Sequence, residues 1–272
     1  MKCAPFEYVR PASVADAMAA LAEADGDGKV LAGGQSLVPL LALRLARPAV
    51  LVDVNRVPGL DAVARDGDAV QVGALVRHAA LAGQTLHPLI AEAARWIGHA
   101  AIRTRGTAGG SLAHADPAAE LPAVAVATGA TVTVAGPDGE RTVAAEDLFV
   151  GALVTSLGDA ELITGVRFPL PDRWGFVEFA RRHGDFALVT AVVAEVGGEV
   201  RIAVGGVGSV PARAVAGERT LAEGGTAADA AAAAGDALEP TGDLHGSPRY
   251  RRALAVEMVR RALVRAGIGG PG

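Results

Sequence analysis

The chain has 272 residues, a net charge of -5 and 51% hydrophobic residues, which favours two domains with aliphatic cores. The basic residues are mostly scattered, so a nucleic-acid partner is not expected. The single cysteine, Cys3, excludes an intrachain disulfide and cannot by itself hold an iron–sulfur cluster or a structural zinc.

The sequence carries no signal for export or membrane insertion. Its first residues lack an apolar signal core, and no run of about eighteen residues is free of charges and turn breakers. The low cysteine content fits a reducing compartment. We therefore expect a cytoplasmic protein with no membrane span.

The first part of the chain shows the pattern of a small βαβ unit. Ser13 is placed as a helix N-cap with an acid, Asp16, three residues later. The runs that follow predict a strand over Lys29–Ala32, a helix over Leu37–Leu45 and a second strand over Val50–Val54. The connection between these two strands allows them to pair in parallel.

The next segment mixes helix and strand signals. A strand is predicted over Val70–Leu75, and His87-Pro88 opens an amphipathic helix that reaches Ile97. Alternating residues within Thr131–Val143 predict an antiparallel hairpin turned at Pro-Asp-Gly. A further strand is predicted over Glu161–Phe168.

The last part of the chain predicts strands followed by helices. Pro169–Pro171 is interpreted as a linker, and Phe176–Val204 as two or three strands turned at Gly197-Gly198. Helices are predicted from Thr226 onward. The last of them starts at Ser247-Pro248, because a serine N-cap followed by proline at N1 is a typical helix start.

Two glycine doublets are the most informative motifs. They are Ala32-Gly33-Gly34-Gln35-Ser36 and Thr107-Ala108-Gly109-Gly110-Ser111, each between an apolar run and a predicted helix. Backbone without a Cβ approaches an oxyanion closely, and nearby N–H and hydroxyl groups donate hydrogen bonds to it. Neither motif is the dinucleotide fingerprint or the P-loop. Together the doublets predict a phosphate clamp, whereas either one alone would be an ordinary glycine turn.

Few other residues indicate chemistry. His114 and Asp116 form the one close His/Asp pair, which is compatible with acid–base chemistry or with loop capping. Glu120 is placed to accept hydrogen bonds from sugar hydroxyls, or to be a solvated acid in a first helical turn. The sequence shows no nucleophile elbow and no metal-ligand spacing. We therefore assign no catalytic residue and no metal ligand.

Several long segments resemble one known family. They are Leu31–Leu40, Leu51–Asn55, Ile102–Pro122, Phe179–Ala187 and Gly205–Pro211. In this order they resemble the FAD-binding medium subunit of molybdenum hydroxylases, the carbon monoxide dehydrogenase and xanthine dehydrogenase family. The similarity spans nearly the whole chain, so it is far more specific than the doublets.

The resemblance implies an α+β fold. A two-subdomain FAD-binding domain would occupy residues 1–170, with a small βαβ unit over about 1–56 and a larger α+β unit over about 57–170. FAD would lie between these subdomains. A C-terminal domain of antiparallel sheet and helices would occupy residues 171–272.

The resemblance also implies which residues contact FAD. The glycine motifs would enclose the diphosphate, Asp116 and Glu120 would address polar groups including ribose, and two apolar residues would pack near the flavin. The implied set is Ala32, Gly33, Gly34, Gln35, Ser36, Leu37, Ile97, Thr107, Gly109, Gly110, Ser111, Asp116, Glu120 and Leu162. Some relatives have a lysine near the flavin where this chain has Val177-Glu178, so a carboxylate is expected there and would disfavour negative charge on the ring.

The implied function is electron relay. The chain would receive electrons from 2Fe–2S clusters on a small partner subunit and pass them from flavin to an external acceptor, while a large subunit carries the molybdenum cofactor. This role requires no general base from the protein. The alternative is a self-sufficient FAD-dependent oxidoreductase acting directly on a small substrate. A scaffold subunit that has lost flavin is a third interpretation. The substrate and the final acceptor are not specified by the sequence.

Overall fold

The computed structural model describes residues 2–270, and its N-terminal unit (residues 7–53) is a parallel sheet with helical connections. Along the chain this unit contains β1 (Glu7–Val9), α1 (Val14–Glu23), β2 (Gly28–Leu31), α2 (Leu37–Ala42) and β3 (Val50–Asp53). Strand β3 lies between β1 and β2 and is parallel to both. The expected βαβ unit is confirmed, although α2 ends before Leu45 because Arg44 adopts a left-handed conformation.

Helix α1 is fixed by its cap and by one buried stripe. The Ser13 hydroxyl accepts a hydrogen bond from the amide of Asp16 at 3.1 Å, as its position predicts. Ala17 and Leu21, four residues apart, lie on one face of the helix and pack against Val52 of β3. The helix therefore covers one face of the parallel sheet.

The central unit (residues 63–169) is built on an antiparallel sheet in the order β4-β5-β10-β6-β7. Its strands are β4 (Val63–Asp66), β5 (Ala69–Gly73), β6 (Thr131–Gly136), β7 (Gly139–Ala144), β8 (Phe149–Gly151), β9 (Val154–Thr155) and β10 (Leu162–Pro169). Its helices are α3 (His78–Gly83), α4 (Pro88–Trp96), α5 (Ala100–Arg103), α6 (Ala108–His114), α7 (Glu120–Thr128) and α8 (Ala145–Leu148). The predicted hairpin is confirmed as β6 and β7.

The C-terminal unit (residues 173–266) is an antiparallel sheet covered by helices. It contains β11 (Arg173–Phe179), β12 (Val189–Val196), β13 (Glu199–Gly205), β14 (Ala212–Arg213), α9 (Val215–Ala222), α10 (Ala227–Ala237) and α11 (Pro248–Ala266). The strands pair in chain order. The α+β fold is therefore confirmed. No helix within residues 2–270 has the length and apolarity to cross a membrane.

The central helix α7 joins the central and C-terminal units. All nine of its residues are buried, which is typical of a helix that is apolar on every side and enclosed by protein. On the C-terminal sheet, alternate residues face opposite ways. Val192 and Ala194 pack into the core that contains α7, whereas Ala191 and Val193 pack under the C-terminal helices. The C-terminal sheet is thus buried on both faces. The Gly206 amide also donates a hydrogen bond to the Pro117 carbonyl at 2.8 Å, across the contact between the C-terminal and central units.

Two buried carboxyl groups lie in this contact. Glu120 begins α7, and Glu178 lies in β11 opposite Thr190 of β12; the two glutamates are only 7% and 8% exposed. Burial raises the pKa of Glu120 to about 7, with the nearby Asp116 adding to the shift. Burial and the neighbouring Glu120 raise the pKa of Glu178 to about 8. Glu178 is therefore mainly protonated at neutral pH, which corrects the expectation of a carboxylate at this position.

These raised pKa values make the folded chain sensitive to base. The pKa of each glutamate lies near 4.5 in the unfolded chain and near 7 or 8 in the folded chain. Ionisation of the pair therefore does not affect the free energy of unfolding at low pH, and it lowers this free energy increasingly as the pH rises toward 8. We expect Glu178→Gln to raise the free energy of unfolding above that of the wild type by about 1–3 kcal/mol at about pH 9, with little difference at about pH 5. Urea unfolding at both pH values measures this change.

Glu195→Gln is the matched control. Glu195 lies in β12, and its ion pair with Arg173 holds the pKa of the Glu195 carboxyl below its usual range. Its difference from the wild type should be the same at both pH values, because Glu195 is charged at each. A Glu178→Gln difference that likewise does not change with pH would contradict the assignment.

Candidate functional site

The two glycine segments, residues 32–36 (first segment) and 105–111 (second segment), lie side by side in the structure. A Cβ atom on Gly33 would overlap the carbonyl oxygen of Arg105 and lie 2.7 Å from the Cα of Gly106. A Cβ atom on Gly110 would lie 3.7 Å from the Cβ of Ala32. The backbones of the two segments are thus in direct contact. Glycine is required at position 33 because protein backbone from the second segment occupies the space where a side chain would lie.

The first segment is a tight turn between β2 and α2. Gly34 has φ 74, a left-handed conformation that favours glycine. The Gln35 side-chain amide donates to the Gly33 carbonyl at 3.1 Å and so stiffens the turn. Ser36 is exposed and makes no side-chain cap, and Leu37 begins the short helix α2. The backbone of this turn faces the cleft described below.

The second doublet lies inside α6 rather than in a loop before it. Thr107 is the N-cap, and its buried hydroxyl accepts from the amide of Gly110 at 3.2 Å. Gly109 packs on Ala74: its amide donates to the Ala74 carbonyl at 2.8 Å, and a Cβ would lie 2.6 Å from the Ala74 Cβ. Ser111 is half-buried in the same helix. Thr107 and Gly109 are therefore occupied in holding the segment in place.

A cleft of about 330 Å³ opens along the first segment. Its lining residues are Tyr8, Leu31, Ala32, Gly33, Gly34, Gln35, Val38, Asp53, Asn55 and Arg105. A second cleft of about 260 Å³ continues beyond Asn55. It is lined by Asn55, Val57, Asp61, Leu75, Val76, Arg77 and Ala80. Backbone without side chains forms part of the first cleft, and the exposed Arg105 supplies a positive charge.

A hydrogen-bond network that sequence reasoning missed supports the first segment. The Asp53 carboxylate accepts from the Tyr8 hydroxyl and from the backbone and side-chain amides of Asn55, at 2.9 and 2.6 Å for the last two. The Asn55 side-chain amide also donates to the Ala32 carbonyl at 2.7 Å. The available signal was the Asp-Val-Asn sequence at the carboxyl end of β3, since ligands often bind beyond the ends of parallel strands.

Arg77 connects this network to the second segment. Its guanidinium donates to Asn55 Oδ1 at 2.7 Å and to the Arg105 carbonyl at 2.5 Å. Partial burial and the nearby Arg105 charge lower the pKa of the guanidinium, which still remains charged at neutral pH. No motif in the sequence indicated this role.

His78 also holds the second segment in place, through a hydrogen bond to its backbone. Its Nε2–H donates to the Thr107 carbonyl at 2.9 Å, while the buried Nδ1 has no hydrogen-bond partner within residues 2–270. Burial lowers the pKa of His78 to about 4, so the ring is neutral at physiological pH. His78 therefore adds no charge to the site.

The other predicted site residues lie farther along the central unit. The Asp116 carboxylate accepts from the Ala118 amide at 2.9 Å and shapes the turn before α7, and Glu120 is buried at the start of that helix. Ile97 ends α4 in the core of the central unit, whereas Leu162 packs with the core of the N-terminal unit. Both side chains are more than nine-tenths buried, and neither lines the two clefts.

The arrangement is suited to binding rather than to acid–base chemistry. Exposed backbone and the Arg105 cation line the first cleft, and the Asp53 carboxylate beside them is already bound by Tyr8 and Asn55, which fits a ligand that carries negative charge. Within residues 2–270, no group of three or more His, Cys, Asp or Glu side chains could hold a metal ion.

Comparisons with known proteins identify the family. The FAD binding domain in molybdopterin dehydrogenase matches residues 4–171, and the CO dehydrogenase flavoprotein C-terminal domain matches residues 174–266. The nicotine 6-hydroxylase medium subunit of Paenarthrobacter nicotinovorans is 43% identical, covering 98% of this chain and 99% of that protein. The carbon monoxide dehydrogenase medium chain of Hydrogenophaga pseudoflava is 37% identical, covering 95% of this chain and 96% of that protein.

Solved structures agree with these sequence matches. A chain of quinoline 2-oxidoreductase from Pseudomonas putida 86 superposes with a TM-score of 0.90 at 37% identity, over 98% of both chains. A chain of reconstituted CO dehydrogenase from Oligotropha carboxidovorans gives a TM-score of 0.91 at 34% identity, over 98% of this chain and 99% of that one. The resemblance noted in the sequence is confirmed: the chain belongs to the family of FAD-binding medium subunits of molybdenum hydroxylases, and its cofactor is FAD.

Proposed function

We propose that this chain receives electrons from the 2Fe–2S clusters of a small partner subunit and passes them through FAD to an external acceptor. A large partner subunit would carry the molybdenum cofactor and oxidise the substrate. The observation that carries the proposal is the contact of two glycine segments beside one cleft with a cation at its edge. The relatives named as medium subunits support the expectation of partner chains.

The residues of the cleft fit the diphosphate of FAD. Ala32, Gly33 and Gly34 line the cleft with little or no side chain, and Gly110 lies beside Ala32 on the other segment. Arg105 supplies a charge opposite to that of a diphosphate. We therefore propose direct contacts from these residues, and indirect support from Thr107 and Gly109, whose hydrogen-bonding groups already bind protein atoms.

The protein's part in electron relay is to bind and orient the cofactor. Bound FAD supplies a group that exchanges electrons singly or in pairs. The chain has one cysteine, too few for a 2Fe–2S cluster with four thiolate ligands, so the clusters belong on a partner in this proposal. Asp116 and Glu120 remain proposed contacts to polar groups of FAD, and Ile97 and Leu162 proposed neighbours of the flavin.

Purification of the tagged chain from its native host tests the relay. We expect the chain to carry visible flavin absorbance and to copurify with two other chains that contain iron and molybdenum. Adding the substrate of the complex under anaerobic conditions should bleach the flavin. Turnover of a small substrate by the purified chain alone, with no copurifying metal, would instead favour a self-sufficient oxidoreductase.

The Gly33→Ala variant tests the proposed diphosphate site. The added methyl group would push the Arg105–Gly106 backbone away from the first segment. We expect the Kd for FAD to rise by about tenfold or more, equivalent to ~1.4 kcal/mol, because the segments can no longer enclose one ligand. Flavin fluorescence titration of the deflavinated protein measures the Kd.

Gly83→Ala is the matched control for this variant. Gly83 is exposed at the end of α3, and a Cβ there would meet no atom within 4 Å. This substitution should leave the affinity for FAD unchanged. Wild-type affinity in Gly33→Ala would show that the close contact of the two segments is not needed for binding.

A further inference from the structure

We infer that Arg77 and Asn55 are positioning residues: together they set the separation of the two glycine segments and thereby the affinity for FAD. This inference rests on the proposed function of the cleft. It assigns the effect to a link between protein atoms and not to a contact with the ligand. Asn55 lines both clefts and Arg77 lines the second, and Arg77 joins the two segments through Asn55 on one side and through the Arg105 carbonyl on the other.

The orientation of the Asn55 side chain is determined by its partners. Its Nδ2 donates to the Ala32 carbonyl and to Asp53 Oδ1, at 2.7 and 2.6 Å, which uses both amide hydrogens, and the Leu31 carbonyl lies farther away at 3.3 Å. Its Oδ1 is left to accept from Arg77 at 2.7 Å. Reversing the amide would place its oxygen against two acceptors. Asn55 therefore connects a carbonyl of the first segment to a cation in one defined orientation.

Arg77 completes the link with the second end of its guanidinium. It donates to the Arg105 carbonyl, the same oxygen that excludes a side chain from Gly33. The main chain of Arg77 also forms a bridge with Thr107, so the base of the side chain is fixed to the second segment. The planar guanidinium of Arg77 thus bonds both to Asn55, which holds the first segment, and to the second segment. The single ammonium group of lysine cannot make both bonds with the same geometry.

The segments need such a link because their helices are short. Helices α2 and α6 have six and seven residues, too few to be stable on their own. The side chains of Arg77 and Arg105 carry like charges and repel each other. Arg77 holds the second segment in spite of this repulsion because its hydrogen bond is made to the Arg105 carbonyl and not to the Arg105 side chain. The side-chain hydrogen bonds of Arg77 and Asn55 therefore add to the backbone contact of Gly33 with Arg105 in holding the two segments together.

The test measures FAD affinity in the full chain after deflavination. We expect Arg77→Met and Asn55→Ala each to raise the Kd for FAD by about tenfold or more. The Kd of the double variant should be no higher than that of the single variant that binds FAD less tightly, because both substitutions break the same link. Arg77→Lys should lie between Arg77→Met and the wild type. The losses should be the same at low and high ionic strength, whereas loss of a direct cation–diphosphate contact would shrink as salt screens it.

Arg56→Met is the matched control. Arg56 is exposed and adjacent to Asn55, so this variant removes a positive charge near the cleft without removing the link. It should keep the wild-type Kd at moderate salt. The thermal unfolding midpoint of each ligand-free variant shows whether it is folded. If Arg77→Met does not fold, Asn55→Ala and Arg77→Lys carry the test, since each weakens the link without adding a negative charge to the cleft.

Hydrogen exchange in the ligand-free chain provides a readout that does not involve FAD. Amides of residues 33–36 and 106–110 should exchange faster in Arg77→Met and not in Arg56→Met. Wild-type affinity in Arg77→Met, additive losses in the double variant, or losses that disappear at high salt would overturn the inference while leaving the proposed function intact. A wild-type chain that binds no FAD would overturn the proposed function and this inference with it.

Discussion

The close approach of Gly33 to the Arg105 carbonyl is the contact on which the site depends. Backbone at this separation leaves no room for a Cβ, so the two segments meet only because position 33 is glycine. The contact places Arg105 at the edge of the cleft and brings Ala32 beside Gly110. It also joins the parallel sheet of the N-terminal unit to α6 of the central unit. The first cleft is therefore lined mainly by the N-terminal unit, and the central unit adds the Arg105 charge at its edge.

The four glycines of the doublets serve different physical purposes. Gly33 and Gly109 allow close packing against protein backbone, on Arg105 and Ala74. Gly34 provides a left-handed turn, and Gly110 leaves space beside the Thr107 hydroxyl that caps its helix. Three of the four are thus explained by protein contacts and the fourth by its backbone conformation. A doublet that looks like a phosphate motif in sequence acts in part by bringing the binding segments together.

The sequence predicts what depends on neighbours in the chain. The Ser13 cap and the β6–β7 hairpin were predictable because their hydrogen bonds join residues a few positions apart. The resemblance extended this to the α+β fold and the cofactor. The Arg77–Asn55 link was not predictable, because it joins carbonyl groups of two distant segments through two side chains. The position of the second doublet inside α6 was missed for a related reason: the Thr107 cap, and not the glycines, decides where that helix begins.

Glu178 shows why charge at a buried position cannot be taken from residue type. The resemblance implies a lysine near the flavin in some relatives where this chain has Val177-Glu178, and the residue types then suggest a change from a positive to a negative charge. Burial and the neighbouring Glu120 keep the Glu178 carboxyl mainly protonated at neutral pH. The difference is then the loss of one positive charge, about half of what the residue types imply. Because desolvation favours the neutral acid, Glu120 and Glu178 are tolerated at a contact between units although no cation within residues 2–270 pairs with them. A neutral Glu178 also alters the environment of the proposed flavin position less than the substitution suggests.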